Sequence, residues 1–328
     1  MRARFKHLLA QDFFGLLVAL IGLIVFFGLQ SNYFWSVLTF TTLANQMPAL
    51  LVIAVGMTFV LIVAGIDLSV GSVMALSGAI LGLAIVDMQL SLVMAGILCL
   101  ATGLLCGLFN GLVVTRWGVP SFIVTLGMLE IARGGAYLVT DSQTKYVGSV
   151  VEVISAPLPI INLSPAWFAA ITVVLLGQLV LSRTVFGRYA IAVGTNEESV
   201  RLSGIDTGRI KLVVFGVAGL LAGLGGLFHV GYLQSADPNA GIGLELSAIA
   251  AVVIGGTSLS GGKGSVVNTL IGVLIIAVLQ TGLAQIGASE PSKRVITGLV
   301  IIAAVIIDVY RNRSDGIGKR LRTILLRK

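Results

Sequence analysis

The sequence predicts an all-α integral membrane protein with about ten transmembrane helices, some of them broken, in an inverted five-plus-five repeat. Three observations carry this expectation. First, 57% of the 328 residues are hydrophobic, mean hydropathy is +1.05, and only 11% are charged, where a soluble domain carries about 25%. A water-soluble fold of this size cannot hide so much apolar surface, so lipid is the solvent for most of the chain. Second, the chain divides into apolar runs, most near the length of about 20 residues that crosses a bilayer. Third, it repeats itself. Gly65-Ile-Asp-Leu-Ser69 returns as Gly243-Leu-Glu-Leu-Ser247 at an offset of 178. Gly111, Leu112, Pro120, Ser121 and Gly127 return as Gly282, Leu283, Pro291, Ser292 and Gly298 at an offset of 171.

The expected spans are Phe13–Leu29, Met47–Ala64, Leu68–Val86, Leu90–Val114 and Phe122–Val139, then Trp167–Leu181, Leu212–Tyr232, Leu246–Ile254, Val266–Ile286 and Val295–Val309. The N-terminal Met1-Arg-Ala-Arg-Phe-Lys-His resembles the start of a signal peptide. The apolar stretch after it is long and lacks a small-x-small cleavage site, so a retained first span is expected. The eighth span is too short to cross as a regular helix, so it is either broken or continued through the glycine-rich segment after it.

Charge sets the orientation. The N-terminus carries Arg2, Arg4 and Lys6, the loop 183–211 carries Arg183, Arg188, Arg201, Arg209 and Lys211, and the tail 311–328 is basic. The positive-inside rule places all three in the cytoplasm. Six spans before the loop and four after it satisfy this, and the two repeat copies then run in opposite directions, as transporter repeats do. The domains read accordingly as a first membrane repeat over 1–139 and a second over 140–310, which includes an outer loop 140–165 and the loop 183–211. The outer loop reads as a landing surface for an external partner or as a solvated connector. The net charge of +7 reflects membrane orientation rather than nucleic-acid binding.

Candidate functional residues are few. Asp67 and Glu245, with Ser69 and Ser247, sit at the edges of apolar segments, where a carboxylate is costly unless it faces a bundle interior or water. They read as a pathway or gate element, as interfacial helix caps, or as both. Asn110, Gln178, Asn268 and Gln280 are isolated polar residues suited to interhelical hydrogen bonds. Glu130 and Arg133 have the spacing of an intrahelical ion pair. Gly103-x-x-x-Gly107-x-x-x-Gly111, Gly78-x-x-x-Gly82 and Gly219-x-x-x-Gly223 predict close helix packing. Cys99 and Cys106 are about two turns apart on one helix face, too far for a disulfide. Metal-ligand spacing is absent, and no cofactor is expected.

In the loop 183–211, Thr195 and Glu198 have capping-box spacing and Gly204 suits a helix C-terminus. They predict a short helix of about two turns along the inner face, with Glu197, Glu198 and Arg201 exposed, either to dock a cytoplasmic partner or as an amphipathic connector. Gly255-Gly-Thr-Ser-Leu-Ser-Gly-Gly-Lys-Gly264 fails as a phosphate loop. The spacing before Gly262-Lys263 is wrong and Gly264 replaces the Ser or Thr. Any ATP must therefore be hydrolysed by another subunit.

Several stretches resemble the permease subunit of bacterial ABC importers for monosaccharides, of the ribose-transporter type. They are Val55-Gly-Met-Thr58, Gly65-Ile-Asp-Leu-Ser-Val-Gly-Ser72, Phe186-Gly-Arg-Tyr189 through Asn196-Glu197, Arg201-Leu-Ser-Gly-Ile205, and Glu245-Leu246 through the glycine-rich segment to Gly264. The resemblance covers roughly residues 13–310. It implies an inner-membrane location, a second permease copy (homodimer or heterodimer), a cytoplasmic ATP-binding subunit and a periplasmic sugar-binding protein. By resemblance, Asn196–Ser203 is the coupling helix, with Gly187, Arg188, Asn196, Glu197, Glu198, Arg201 and Gly204 as its coupling residues. Leu244 and Ser247 depart from the aromatic residue and aspartate expected of ribose-type members, which implies a different substrate or a non-identical partner permease. The alternatives are an ion-gradient-driven secondary transporter and a permease for branched-chain amino acids or nucleosides on the same scaffold.

Overall fold

The computed structural model describes residues 2–303 and 305–306, with side chains from residue 13 onward. The basic tail 311–328 and the side chains of Arg2, Arg4 and Lys6 lie outside this range. The fold is helical, with one two-residue strand pair. In order, the helices are α1 Arg2–Gln30, α2 Val37–Gln46, α3 Pro48–Ile62, α4 Val70–Val86, α5 Leu92–Trp117, α6 Ser121–Thr140, α7 Glu152–Ser155, α8 Pro165–Arg183, α9 Val185–Thr195, α10 Glu197–Leu202, α11 Thr207–Leu233, α12 Leu244–Ile254 and α13 Val266–Gln285. A further helix, α14, begins at residue 290.

Six stretches among the described residues are long and apolar enough to cross a membrane: Phe13–Gln30 within α1, then α5, α6, α8, α11 and α13. The α2–α3 pair, bent by 48° around Met47, is a seventh if taken as one span. Pro48 opens α3, where its missing N–H costs nothing but the preceding helix cannot continue straight through it. Helix α2 was not expected from the sequence. The chain belongs to the all-α, multi-pass membrane class.

Burial sorts the helices into layers. Nearly every residue of α3 is buried, which explains its lack of a polar face: a helix that is apolar all round lies inside the bundle. Most of α4 is buried too. By contrast, α1 exposes Phe14, Val18, Ile21, Phe26 and Leu29.

The expected glycine packing joins α5 to α11. A Cβ at Gly107 would land on the Phe215 carbonyl, and one at Gly219 on the Gly103 carbonyl. The Cys99 thiol donates to the Gly223 carbonyl at 3.2 Å across the same seam, and both cysteines are free. Gly78 and Gly82 of α4 pack on Val230 and Ala236. The strands β1 Lys145–Tyr146 and β2 Ser235–Ala236 pair antiparallel. With the 2.6 Å Lys145–Asp87 ion pair, they tie the loop 140–165 to the ends of α4 and α11.

Helix α12 stops at Ile254 and does not run on through the glycine-rich segment. The aligned acids fall at different helix positions: Asp67 lies three residues before α4, whereas Glu245 is the second residue of α12.

Gly219→Ala should destabilise the fold by about 1–3 kcal/mol through overpacking, read as a lowered thermal unfolding midpoint in detergent. Gly96→Ala, on α5 but with nothing within 4 Å of the added Cβ, should be neutral or stabilising through helix propensity.

Candidate functional site

Between α3 and α4 the chain leaves the helix. α3 closes with the Ala64 N–H donating to Leu61 O and the Gly65 N–H to Val60 O, both at 2.9 Å. Ala64 takes the left-handed conformation at φ 58°, a place usually given to glycine. Asp67 and Ser69, in the stretch that follows, are buried. Non-helical peptide groups at membrane depth cost several kcal/mol each unless other groups satisfy them. Here α6 supplies the partners. Ser121 Oγ accepts from the Ile66 N–H at 2.9 Å; Thr125 Oγ1 accepts from the Leu68 N–H at 3.1 Å and donates to Ile66 O at 3.2 Å. Asp67 Oδ1 accepts from the Ser69 N–H and hydroxyl at 2.9 and 2.6 Å, and Asn110 Nδ2 of α5 donates to Ser69 Oγ at 3.1 Å. Asn110 Oδ1 is buried without a partner. The structure thus brings together Asp67, Ser69 and Asn110.

The second acid approaches the same helix. α12 starts after Gly243 at φ 82°; Glu245 Oε1 accepts from the Gly243 N–H at 3.2 Å, and the Ser247 hydroxyl donates to Gly243 O at 3.4 Å. Gly71, one turn beyond Asp67, has no room for a Cβ, which would land on Glu245 Oε2 and the Gly241 carbonyl. The segment before α12 is held by α6 again: Arg133 Nη1 donates to the carbonyls of Pro238 at 2.5 Å and Ala240 at 2.8 Å, and the Tyr137 hydroxyl donates to Asn239 Oδ1 at 2.7 Å. This corrects the expected Glu130–Arg133 pair, which does not occur among the described residues. The Arg133 guanidinium instead satisfies carbonyls that a broken helix leaves free. One helix therefore braces both interruptions, with Ser121 and Thr125 near its start and Arg133 and Tyr137 near its end.

Sequence reasoning missed Thr125, Tyr137 and Asn239, and gave Ser121 no role beyond the repeat. Ser121 and Thr125 do carry a legible signal, two hydroxyls four residues apart on one face of an apolar helix. Gln178 matches its expected role: its Oε1 accepts from the N–H groups of Val266 and Val267 at 3.0 and 3.2 Å, capping α13 from α8. Gln280 is exposed.

The loop 183–211 contains two helices where one was expected. Thr184 Oγ1 caps α9 by accepting from the Gly187 N–H at 3.2 Å, and a Cβ at Gly187 would meet the carbonyls of Val180 and Leu181. The cap of α10 is Asn196, whose Oδ1 accepts from the Ser199 N–H at 2.9 Å. Thr195 instead ends α9 and donates to Ile191 O, because the chain is already helical there. The far end agrees with expectation. Gly204 has φ +80°, its N–H donates to Arg201 O at 3.0 Å, and the Ile205 N–H donates to Val200 O at 3.4 Å, the paired bonds of a Schellman motif. Glu198 pairs with Arg201 at 2.7 Å and Glu197 with Lys211 at 2.5 Å. The hydrogen bond from Arg201 to Glu198 holds the guanidinium above its ordinary pKa. Arg188 is exposed.

A cleft of ≈ 890 Å³ opens between these elements. Its lining includes Glu197, Glu198, Arg201 and Lys211 together with Val63–Ile66 and the α5–α6 connection. Three of the coupling candidates, Glu197, Glu198 and Arg201, thus share a cleft with the start of the helix break. No group of three or more His, Cys, Asp or Glu placed to hold a metal occurs among the described residues.

Thr125→Val keeps the shape but strands a buried N–H and a carbonyl. It should cost about 1–3 kcal/mol, read as a lowered unfolding midpoint in detergent. Ser247→Ala, which removes only the 3.4 Å bond, should change stability by no more than about 0.5 kcal/mol, leaving the midpoint nearly unchanged.

Comparison with known proteins identifies the family. The profile of the branched-chain amino acid transport system / permease component family matches residues 39–305. The chain is 40% identical to the ribose import permease protein RbsC of Escherichia coli (strain K12) over 89% of its own length and 92% of the relative's. It is 37% identical to the D-allose transport system permease protein AlsC of the same strain, covering 93% and 94%. It is 35% identical to the fructose import permease protein FrcC of Rhizobium meliloti, covering 90% and 84%. No solved structure matches. With the profile spanning most of the chain and the relatives aligned nearly end to end, the chain belongs to this family of membrane transport permeases.

Proposed function

We propose that the chain is the membrane subunit of an ATP-driven importer that moves a monosaccharide, a pentose or hexose, into the cytoplasm by alternating access. The observation that carries this reading is the capped helix α10 facing the interrupted α3–α4 segment across a shared cleft. A short helix with strong caps and a charged face is a handle for a cytoplasmic partner, and the helix break it faces is a place where spans can repack. The glycine-rich segment 255–264 lacks the phosphate-loop spacing, so ATP is hydrolysed by a partner chain. The relatives named for ribose, allose and fructose favour a sugar over the branched-chain amino acids of the broader family.

In this reading ten spans cross the membrane: α1, the α2–α3 pair, α4, α5, α6, α8, α11, α12, α13 and α14. The two halves, 1–139 and 140–310, are inverted copies. Both termini and the loop 183–211 face the cytoplasm, and the loop 140–165 faces the periplasm, where a sugar-binding protein delivers substrate. Asp67, Ser69, Asn110, Glu245 and Ser247 line the path or its gate. Gly187, Arg188, Asn196, Glu197, Glu198, Arg201 and Gly204 shape or contact the ATPase dock.

A second permease copy is supported by α6. Glu130 is exposed midway along this apolar helix, beside exposed Gly127, Ile131 and Gly134, and a Cβ on either glycine would meet nothing within 4 Å. A carboxylate facing hydrocarbon costs a few kcal/mol, and small residues on the same face let another helix approach. A second copy covers this face at low cost.

Reconstitution with the ATPase and the receptor should give sugar uptake that requires ATP hydrolysis. Uptake by this chain alone that collapses with an ionophore would instead establish a gradient-driven transporter. An epitope placed in 195–204 should be reached only in permeabilised cells; labelling in intact cells would reverse the orientation.

A further inference from the structure

Helix α10 and the interrupted segments are joined by a glycine contact that the family assignment does not explain. Gly194, two residues before the α10 cap, packs its backbone against the last turn of α3. A Cβ there would land on the Ile62 carbonyl and come within 2.5 Å of the Gly262 nitrogen. The Gly262 N–H in turn donates to Ile62 O at 2.9 Å. Gly261, at φ +82°, leaves 2.8 Å between its absent Cβ and both the Ala64 Cβ and the Gly194 carbonyl. Three backbones therefore meet with only the Ala64 methyl and the Thr195 hydroxyl beside them: the end of α9, the end of α3, and the turn that follows α12.

Each strand of this junction leads to a functional element. Gly194 continues into Asn196 and α10. Ile62 continues through Ala64 to Asp67. The segment 255–264 follows the far end of α12, whose first turn holds Glu245. Internal bonds make that segment compact: the Ser258 N–H donates to Lys263 O and the Gly261 N–H to Ser258 O, both at 3.1 Å. Backbone packed directly on backbone transmits displacement with little compliance, because no side-chain rotamer can absorb it.

We propose that Gly194, Gly261 and Gly262 form a rigid clasp through which movement of α10 is passed at once to both interrupted segments, the one bearing Asp67 and the one bearing Glu245. These glycines are positioning residues. They touch no substrate and act by fixing α10 to the two gate-bearing segments as one body. The proposal rests on the transport reading above and adds the route by which force reaches both halves.

The test uses the complete transporter, reconstituted with its ATPase and receptor. Gly194→Ala wedges the clasp. It should reduce uptake per ATP hydrolysed by about tenfold or more, while the assembled complex still elutes intact and turns over ATP. Unchanged uptake per ATP would overturn the clasp. A second test leaves the clasp glycines intact. Spin labels are placed at exposed Leu202→Cys on α10 and exposed Ser260→Cys in the segment 255–264, in a background carrying Cys99→Ala and Cys106→Ala. Parts that move as one body keep their separation, so the interlabel distance should be the same in the nucleotide-free and ATP-trapped complex. A shift of several ångströms between the two states would show that the clasp opens during the cycle and would overturn the proposal. If the wild-type complex shows no ATP-dependent uptake, the transport reading fails, an outcome distinct from either result for the clasp.

Discussion

The structure depends on one constraint: a buried peptide group must find a partner inside the protein. Where helices are continuous the backbone satisfies itself. At Ala64–Ser69 and at 237–243 it does not, and the chain meets the need by assigning one helix to the task. Ser121 and Thr125 hold the first interruption, while Arg133 and Tyr137 hold the second. Helix α6 is thus a strut with a polar clamp at each end. Asp67 and Glu245 are affordable only because they sit where backbone groups and hydroxyls already form a polar environment.

The same reasoning explains the glycines. Lipid tails are as apolar as leucine, so burying leucine gains little when helices associate in a bilayer. What remains is close contact. α5 and α11 obtain it by removing Cβ atoms along one seam, where Gly103 and Gly107 interleave with Gly219 and Gly223. The junction of α9, α3 and the 255–264 segment uses the device again, with positive-φ glycines that also turn the chain sharply. The first seam joins α5 to α11, and the second joins α9 to α3 and the segment 255–264.

Function follows from where order gives way to interruption. Helices α1, α5, α6 and α8 leave much of their surface exposed, whereas α11, α13 and the helices that flank the interruptions, α3, α4 and α12, are largely buried. A cleft beside α10 reaches the first break. In the proposed cycle, a partner that moves α10 acts on the least regular part of the bundle, where repacking disrupts few intrahelical bonds.

Much of this was legible in the chain. Composition alone fixed the solvent as lipid, because too little polar surface exists to cover the apolar residues. Apolar runs located the long helices to within a few residues, GxxxG spacing marked the glycine faces of α5 and α11 without showing that they pair, and Gly204 located the end of α10. The cap of α10 was misplaced by one residue because Thr195 and Asn196 are both competent caps, and only the continuation of α9 decides between them. Helix α2 was missed because Val37–Gln46 is too short and mixed to stand out. Tertiary structure alone decided what Arg133 binds, since i,i+3 spacing to Glu130 competes with carbonyls more than a hundred residues away. It also decided that Asp67 and Glu245 approach the same turn of α4, and that Gly194 meets Gly262 and Ile62. Local patterning determines which segments can be helical and where they end; the pairing of groups freed at those ends is a long-range matter, settled only when the bundle closes around them.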